Sequence, residues 1–318
     1  MLFKAKQKPG WLSLALSRDR LDIVHVSRSA TGRPVVSLCE TYRLEGSLEH
    51  TMTRLRRERG LDGFRLTTLI PAGQYQLLQV DAPDVEPAEL GSALRWRLKD
   101  LIDFPVESAV VETMEIPAGK GAGASGRQLQ VFAVVARAEA IRHHAQPLQR
   151  SGLGLAAIDI HENAQRNVCA LFERPGRAAA LLAFDDAGGL LTVTAGSELC
   201  LARRIDLSLG ALADLDESER QAAYDRVTLE LQRSLDHFDR QFAFVALDRL
   251  LLTGVGPVAG LHDVLAENLD IPVEMLDLAD VIDFPSIPEL RSTARQAQCL
   301  AGIGAALRTD ATPPAMSR

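Results

Sequence analysis

A chain of 318 residues, 47% of them hydrophobic and 24% charged, carries enough apolar material for a real core and a length that suits about two domains. Its net charge of −7 lacks the basic footprint that neutralising a phosphate backbone requires, so nucleic acid is not expected as a ligand. No apolar run approaches the ~20 residues of a membrane span, and no hydrophobic segment follows Lys4, Lys6 and Lys8, so neither a direct membrane span nor a signal peptide is expected.

Taken in order, Leu12 to Leu16, Leu21 to Val26 and Val35 to Tyr42 are strand-like runs separated by the turn formers Ser17-Arg18-Asp19-Arg20 and Ala30-Thr31-Gly32-Arg33-Pro34. An antiparallel meander is expected. Leu48, Met52 and Leu55 mark one face of a helix ending near Gly60, and Leu66 to Ile70 is a buried strand closed by Pro71. Pro83 and Pro87 lead into a helix from about Ala88 to Leu101, with Leu90, Leu94, Leu98 and Leu101 as its apolar stripe and Asp103-Phe104-Pro105 as its stop. Val110 to Ile116 and Leu129 to Ala136 form a hairpin around the flexible loop Gly119 to Gly126. A helix from Arg137 to about Arg150 and a strand from Leu155 to Ile160 complete a compact α-β-β-α-β block.

After a helix from Glu162 to Leu171, the first pattern returns. Three strands, Ala179 to Phe184, Leu190 to Thr194 and Leu199 to Ile205, precede a helix from Tyr224 to Phe242 with Val227, Leu231, Leu235 and Phe238 on one face. The apolar strand Leu247 to Thr253 then enters a Gly-rich turn and leaves into a helix from Val258 to Leu269, followed by the strand Val273 to Leu276. An order of elements that repeats while the residues do not predicts a duplicated α/β lobe with a cleft between the copies. The last helix, Pro288 to Leu307, carries Ala294, Ala297, Ala301, Gly302 and Ala305, small residues suited to close packing. The tail Asp310 to Arg318, with Pro313-Pro314, is expected to be disordered.

Four phrases give this organisation a specific cast: Leu98-Lys99-Asp100-Leu101-Ile102-Asp103-Phe104-Pro105, Ala157-Ile158-Asp159-Ile160, Leu229-Glu230-Leu231-Gln232-Arg233-Ser234-Leu235 and Leu251-Leu252-Thr253-Gly254. In this order and across nearly the whole chain, they resemble the PilM branch of the actin-like ATPases, which includes MshI-type proteins of pilus biogenesis. The resemblance implies an α/β actin-like fold, two duplicated ribonuclease H-like lobes with a small inserted α-β-β-α-β module. On that reading residues 1–78 and 159–175 form the first lobe, 79–158 an inserted peptide-docking module, and 176–290 the second lobe. Residues 291–308 are a C-terminal helix on the first lobe, and 309–318 a disordered tail. The resemblance further implies a cytoplasmic protein, peripheral at the inner membrane through its partners. Such a protein docks the N-terminal peptide of a PilN-like inner-membrane protein and links the assembly platform and motor of a type IV, MSHA-like pilus. The family's peptide groove lies between the first lobe and the module, which makes Leu94, Leu98, Leu101, Ile102 and Phe104 candidates for it. Ordinary module core is the other reading of each.

An actin-like nucleotide site needs glycines that let backbone amides approach phosphates, and carboxylates that place Mg²⁺ and water. The family's first phosphate loop reads roughly Gly-Ile-Asp-Ile-Gly-Ser, followed by a Lys. The matching run here is Ser13-Leu14-Ala15-Leu16-Ser17-Arg18, with Asp22 near the Lys position, so carboxylate, glycine and cation are all expected to be missing. The second loop, Asp-Ile-Gly-Ala in the family, matches Ala183-Phe184-Asp185-Asp186. An anion at Asp185 facing a triphosphate at ~4 Å costs on the order of 4 kcal/mol at an effective dielectric of about 20. Asp19, Asp185 and Asp186 therefore read as solvated turn acids, and a shift of two residues would rescue only a glycine, Gly188 or Gly189. On the adenosine side Glu230 and Arg233, one helical turn apart, and Gly254 and Gly256 are better kept; a surface pair and a tight strand-to-helix connection is the plainer reading. No cofactor is expected, with ATP and Mg²⁺ disfavoured.

Other chemistry finds little support. The spacing from Gly254-x-Gly256 to Gly260 is one residue too long for a dinucleotide fingerprint, and His143, His144 and His161 lack metal-ligand spacing. Cys39, Cys169, Cys200 and Cys299 lie far apart and read as buried thiols in a reducing compartment. Lys4, Lys6 and Lys8 read as a solvated tail, with an anionic membrane surface as the alternative. No catalytic residue is assigned. The expectation is a scaffold with a degenerate nucleotide cleft; the rival is an actin-like ATPase with a non-standard phosphate site. The cytoplasmic domain of a type II secretion protein stands behind both, because that family carries a following membrane span.

Overall fold

A computed structural model of the chain describes residues 7–17, 19–44, 46–83, 85, 89–118, 130–254 and 259–309. The hairpin loop 119–126, Arg18, Gly256 and the tail from Asp310 lie outside the described residues.

Three strands open the fold, β1 (Trp11–Leu16), β2 (Arg20–Arg28) and β3 (Pro34–Arg43), followed by α1 (Leu48–Glu58) and β4 (Arg65–Leu69). β1 pairs antiparallel with β2 and parallel with β4. Ser47 caps α1 by accepting from the His50 amide, and Thr51, Met52 and Leu55 turn inward. The chain then leaves this lobe through β5 (Tyr75–Asp81), α2 (Leu90–Leu98), β6 (Ala109–Glu115) and β7 (Gln130–Arg137), a separate antiparallel sheet ordered β5-β7-β6. It returns through α3 (Ala138–Arg150) and β8 (Leu155–Asp159).

The expected module therefore needs correcting at both ends. Its first strand is β5, which starts at Tyr75 and pairs along its length with β7. At the other end, α3 buries Leu148 among Leu12, Leu14 and Met52, and β8 pairs parallel with β4, so both belong to the first lobe. A parallel strand is defined by a partner far away in sequence, and Leu155 to Asp159 carries no local mark of which sheet it joins.

After α4 (His161–Cys169), the second lobe lays down β9 (Ala178–Asp185), β10 (Gly188–Ala195) and β11 (Glu198–Ile205), then α5 (Leu209–Asp214) and α6 (Glu217–Gln241). It finishes with β12 (Leu247–Thr253), α7 (Ala259–Asn268) and β13 (Val273–Met275). α6 starts earlier than its apolar stripe suggests because Asp216 and Glu219 form a reciprocal capping box. The sheets are ordered β3-β2-β1-β4-β8 and β11-β10-β9-β12-β13. Numbered within its own lobe, each is 3-2-1-4-5, with strands 1 to 3 antiparallel and strands 1, 4 and 5 parallel. The predicted duplication is thus present strand for strand.

α4 and α8 (Thr293–Ala306) pack against each other between the lobes. One apolar cluster joins Val24 and Val36 of the first sheet, Leu181 and Leu251 of the second, and Cys299 and Ile303 of α8. The segment after β13 also returns to the first lobe: Asp283 exchanges backbone hydrogen bonds with Pro34 and Val36, and Arg33 donates to its carboxylate at 2.8 Å. All four cysteines are free and buried, and burial pushes the Cys169 and Cys200 thiols up to about 12. Among the described residues no helix is long and apolar enough to cross a membrane, and no His/Cys/Asp/Glu group is arranged to hold a metal.

Candidate functional site

The β1–β2 and β9–β10 turns face each other across a cleft that Ala15, Ser17, Asp22, Ala183 and Asp185 all line. Its volume is about 100 Å³, against ~300–1,000 Å³ for ordinary ligand pockets. The narrowing comes from α8, which contributes Ala297, Gln298, Leu300, Ala301 and Gly302 to the wall.

Ala15, the residue set against a carboxylate by the resemblance, is 9% exposed and packs with Leu69, Ala164 and Ala305. Ser13 is fully buried beneath it and donates to the Gly302 carbonyl at 2.6 Å, fastening α8 across the back of the turn. The Asp185 carboxylate accepts from the backbone N–H groups of Ala187 (2.7 Å) and Gly188 (3.1 Å), so it caps its own hairpin. At Gly189 a Cβ would lie 2.8 Å from Phe184 Cε1 and 3.0 Å from Ile205 Cβ. That glycine exists for packing.

The cleft does contain cations, Arg20 and Arg204, neither of which the family pattern marks. Both are committed to carboxylates. Arg20 Nε donates to Asp22 at 3.1 Å, and Asp22, 4% exposed at its side chain, also accepts from the Thr41 hydroxyl. Arg204 Nη2 donates to Glu162 Oε1 at 2.7 Å and to the Tyr75 hydroxyl at 2.6 Å, and that hydroxyl donates to Glu162 Oε2 at 2.5 Å. Burial and the neighbouring Glu162 charge keep the Tyr75 phenol protonated far above its ordinary range. Beside this cluster, burial lowers the His161 pKa despite the opposing influence of Asp185 and Glu162. Gln165, one turn further along α4, donates to the Leu181 and Leu190 carbonyls at 2.8 and 2.7 Å. Tyr75, Glu162, Gln165 and Arg204 went unmarked in the sequence; for Glu162 and Gln165, the polar neighbours His161, Asn163, Arg166 and Asn167 hide which side of α4 is buried.

Glu230 and Arg233 are exposed on α6 and line a separate groove of about 200 Å³ with Arg203 and Arg204. Among the described residues only Arg204 lines both this groove and the cleft. Gly254 follows Thr253, whose register partner on β9 is Ala183. Gly256 lies outside the described residues.

The peptide candidates divide. Leu94 and Leu98 are fully buried with Val80, Val131 and Val135, so they are module core and offer no docking surface. Ile102 and Phe104 pack partly onto the same core, with the Arg137 guanidinium 4.2 Å above the Phe104 ring. Leu101, three residues past the end of α2, is 53% exposed, and Trp96 on α2 is 80% exposed. A groove of about 460 Å³ lies elsewhere, between α3 and β8. Ile141, Ala145, Leu155, Ala157 and Ile158 line it, and β8 is the last strand of its sheet. Ile141 and Ile158 also pack against a cluster that joins Ile70 and Ile160 of the first lobe to Tyr75 and Ala136 of the module, which places the groove at the junction of the two.

Two lobes of identical strand order, joined through α4 and α8 around a cleft between matching hairpins, define an actin-like fold. The solved structure of the PilM–PilN type IV pilus biogenesis complex is similar over 94% of this chain and 98% of that one, with 20% identity and a TM-score of 0.74. A Bacteroides thetaiotaomicron protein of actin-like ATPase fold and unknown function matches over 92% and 99% of the two chains, at 11% identity and a TM-score of 0.49. The cytoplasmic domain of EpsL, an inner-membrane component of the Vibrio cholerae type II secretion system, matches over 65% and 75% at 19% identity and a TM-score of 0.39. No protein-family profile and no curated protein sequence matches the chain.

Proposed function

We propose that the protein is a non-catalytic scaffold of a type IV, MSHA-like pilus assembly machine, held at the inner membrane by a PilN-like partner whose N-terminal peptide it docks. The likeness of nearly the whole chain to the PilM–PilN complex supports the partner class. One observation carries the non-catalytic part: the β1–β2 turn is closed from behind, with Ala15 packed against Ala164 and Ala305 and Ser13 bonded to Gly302. A Mg²⁺-bound triphosphate needs a carboxylate and open amides there, whereas Ala15 stands where the resemblance sets the carboxylate and α8 packs against the turn. The peptide is assigned to the α3/β8 groove, where the open edge of β8 offers backbone groups for strand addition and Ile141 and Ile158 offer apolar contact. The rival reading, residual adenosine binding, draws on Arg204, which borders both the cleft and the Glu230–Arg233 groove.

Calorimetric titration with ATP and Mg²⁺ is expected to give no saturable binding at micromolar concentrations; micromolar affinity with phosphate release refutes the scaffold reading. A synthetic PilN-type N-terminal peptide is expected to raise Tm, since a ligand at 100 times its Kd adds about 2.7 kcal/mol. Ala157→Phe, which fills the groove, is expected to abolish that shift. No shift with the unaltered protein removes the docking assignment.

A further inference from the structure

A cavity that neither the cleft nor the peptide groove explains lies at the other end of β1. It measures about 510 Å³, and its lining includes Lys8, Trp11, Arg28, Arg65 and Arg308. β1 runs from Trp11 here to Leu16 at the cleft, so the two sites are roughly 17 Å apart at ~3.3 Å per residue. Among the described residues the lining contains four cations and no carboxylate. In a chain of net charge −7, that is a local reversal of the overall field.

The cations are held in place from below. Trp11, 6% exposed, carries the Arg65 guanidinium 4.1 Å and the Arg308 guanidinium 5.4 Å from its ring centroid. Lys8 sits 3.9 Å over the Phe64 ring and donates to the Gly60 carbonyl at 2.9 Å. Arg28 Nη1 donates to the Gly32 carbonyl at 3.0 Å, and Arg308 Nη1 donates to buried Asp159 at 2.7 Å. A guanidinium has five donors and an ammonium three, so these contacts orient Lys8, Arg28 and Arg308 without exhausting them. Gly10 lets the chain pass close enough to shape the wall: its φ is +83°, and a Cβ would lie 2.1 Å from the Val26 carbonyl oxygen. Gln7 also lines the cavity.

We propose that this cavity is a binding site for a phosphate-bearing anion. Planar guanidinium forks match phosphate oxygens in pairs, and the volume falls within the ~300–1,000 Å³ of small-ligand pockets, suiting a phosphorylated headgroup or small molecule. The same chemistry is offered by a phospholipid headgroup or by a soluble phosphorylated compound. The proposal is independent of pilus assembly and of the cleft.

The test uses the full chain carrying Trp96→Phe, which leaves Trp11 as its single tryptophan, with inorganic pyrophosphate as probe at ~0.15 M salt, where the Debye length is about 8 Å. A saturable change in Trp11 fluorescence is expected. Arg28→Gln and Lys8→Gln, both at exposed positions, are each expected to weaken it by on the order of tenfold, the size of one charge-assisted contact, while Arg57→Gln on α1 leaves it unchanged. Sedimentation with phosphatidylglycerol vesicles, but not phosphatidylcholine vesicles, and its loss in Arg28→Gln assign the site to a lipid headgroup. Pyrophosphate binding without sedimentation assigns it to a soluble ligand. The proposal fails if pyrophosphate leaves Trp11 unchanged and vesicles do not sediment the protein, or if binding survives both cavity substitutions. It fails equally if a glutamate-rich peptide perturbs Trp11 and pyrophosphate does not.

Discussion

At the scale of single residues, buried histidines set how the protein answers to acid. His25 places Nε2 2.9 Å from the Pro9 carbonyl and Nδ1 2.5 Å from Ser37 Oγ, and His144 Nε2 lies 3.2 Å from Thr68 Oγ1. Burial is the main cause that lowers both pKa values below 6.5, and the same holds for His161. Between each lowered value and 6.5 the unfolded chain binds more protons than the folded one, so stability falls as pH falls through that window and is level above it. Each histidine contributes a slope of at most about 1.4 kcal/mol per pH unit. Chemical denaturation between pH 7.5 and 5.5 is expected to show this loss, and His144→Gln is expected to flatten it; an unchanged slope removes His144 from the account. His144 and His161 lack metal-ligand spacing, and a neutral buried imidazole leaves no other mark in a sequence. That Ala15 and Asp185 lie at one cleft was legible, since each sits near the turn that ends the first strand of its repeat. Arg20 and Arg204 were not, because their pairing with Asp22 and Glu162 is decided by tertiary contact.

Elements carry the same contrast between local and distant information. The two meanders could be read from apolar runs and turn residues, whereas β5 and β8 could not be placed, since their partners β7 and β4 lie elsewhere in the chain. α8 was legible as a close-packing helix through its alanines and glycines, and the structure gives that pattern a definite contact. A Cβ on Gly304 would lie 2.1 Å from the Ala164 carbonyl oxygen and 2.6 Å from its carbon, both backbone atoms of α4. Gly91 on α2 meets nothing within 4 Å. The same substitution is therefore expected to act with opposite signs. Gly304→Ala forces α8 off α4 and costs about 1–3 kcal/mol or more, outweighing the up to ~1 kcal/mol of improved helix propensity. Gly91→Ala has only the propensity gain and is neutral or stabilising. Thermal unfolding of the two variants side by side checks this; equal and small effects would mean that the α4–α8 crossing is not close-packed.

On the scale of the whole molecule, lobes and module are joined through polar contacts as well as apolar ones. Tyr75 opens the module, Glu162 stands in the first turn of α4, and Arg204 comes from the second lobe; their mutual bonds of 2.5 to 2.7 Å connect three bodies at one point. Glu162 is only 4% exposed at its side chain, so its charge depends on both partners, while Arg204 at 43% exposed remains accessible to solvent. Removing the phenol oxygen by Tyr75→Phe keeps the ring and the Arg204–Glu162 pair but takes one hydrogen bond from a buried carboxylate, at a cost of about 1–3 kcal/mol. Because the lost contact is the module's share, hydrogen exchange is expected to accelerate in β5 and β7 first, with the β1–β2 and β9–β10 sheets unchanged. A peptide held in the α3/β8 groove touches the same junction through Ile141 and Ile158, and is therefore expected to slow exchange in β5 and β7 of the unaltered protein and to do so less in Tyr75→Phe. If exchange instead rises evenly over all three sheets, the cluster is a general stabiliser. The junction would then provide no coupling between groove and module.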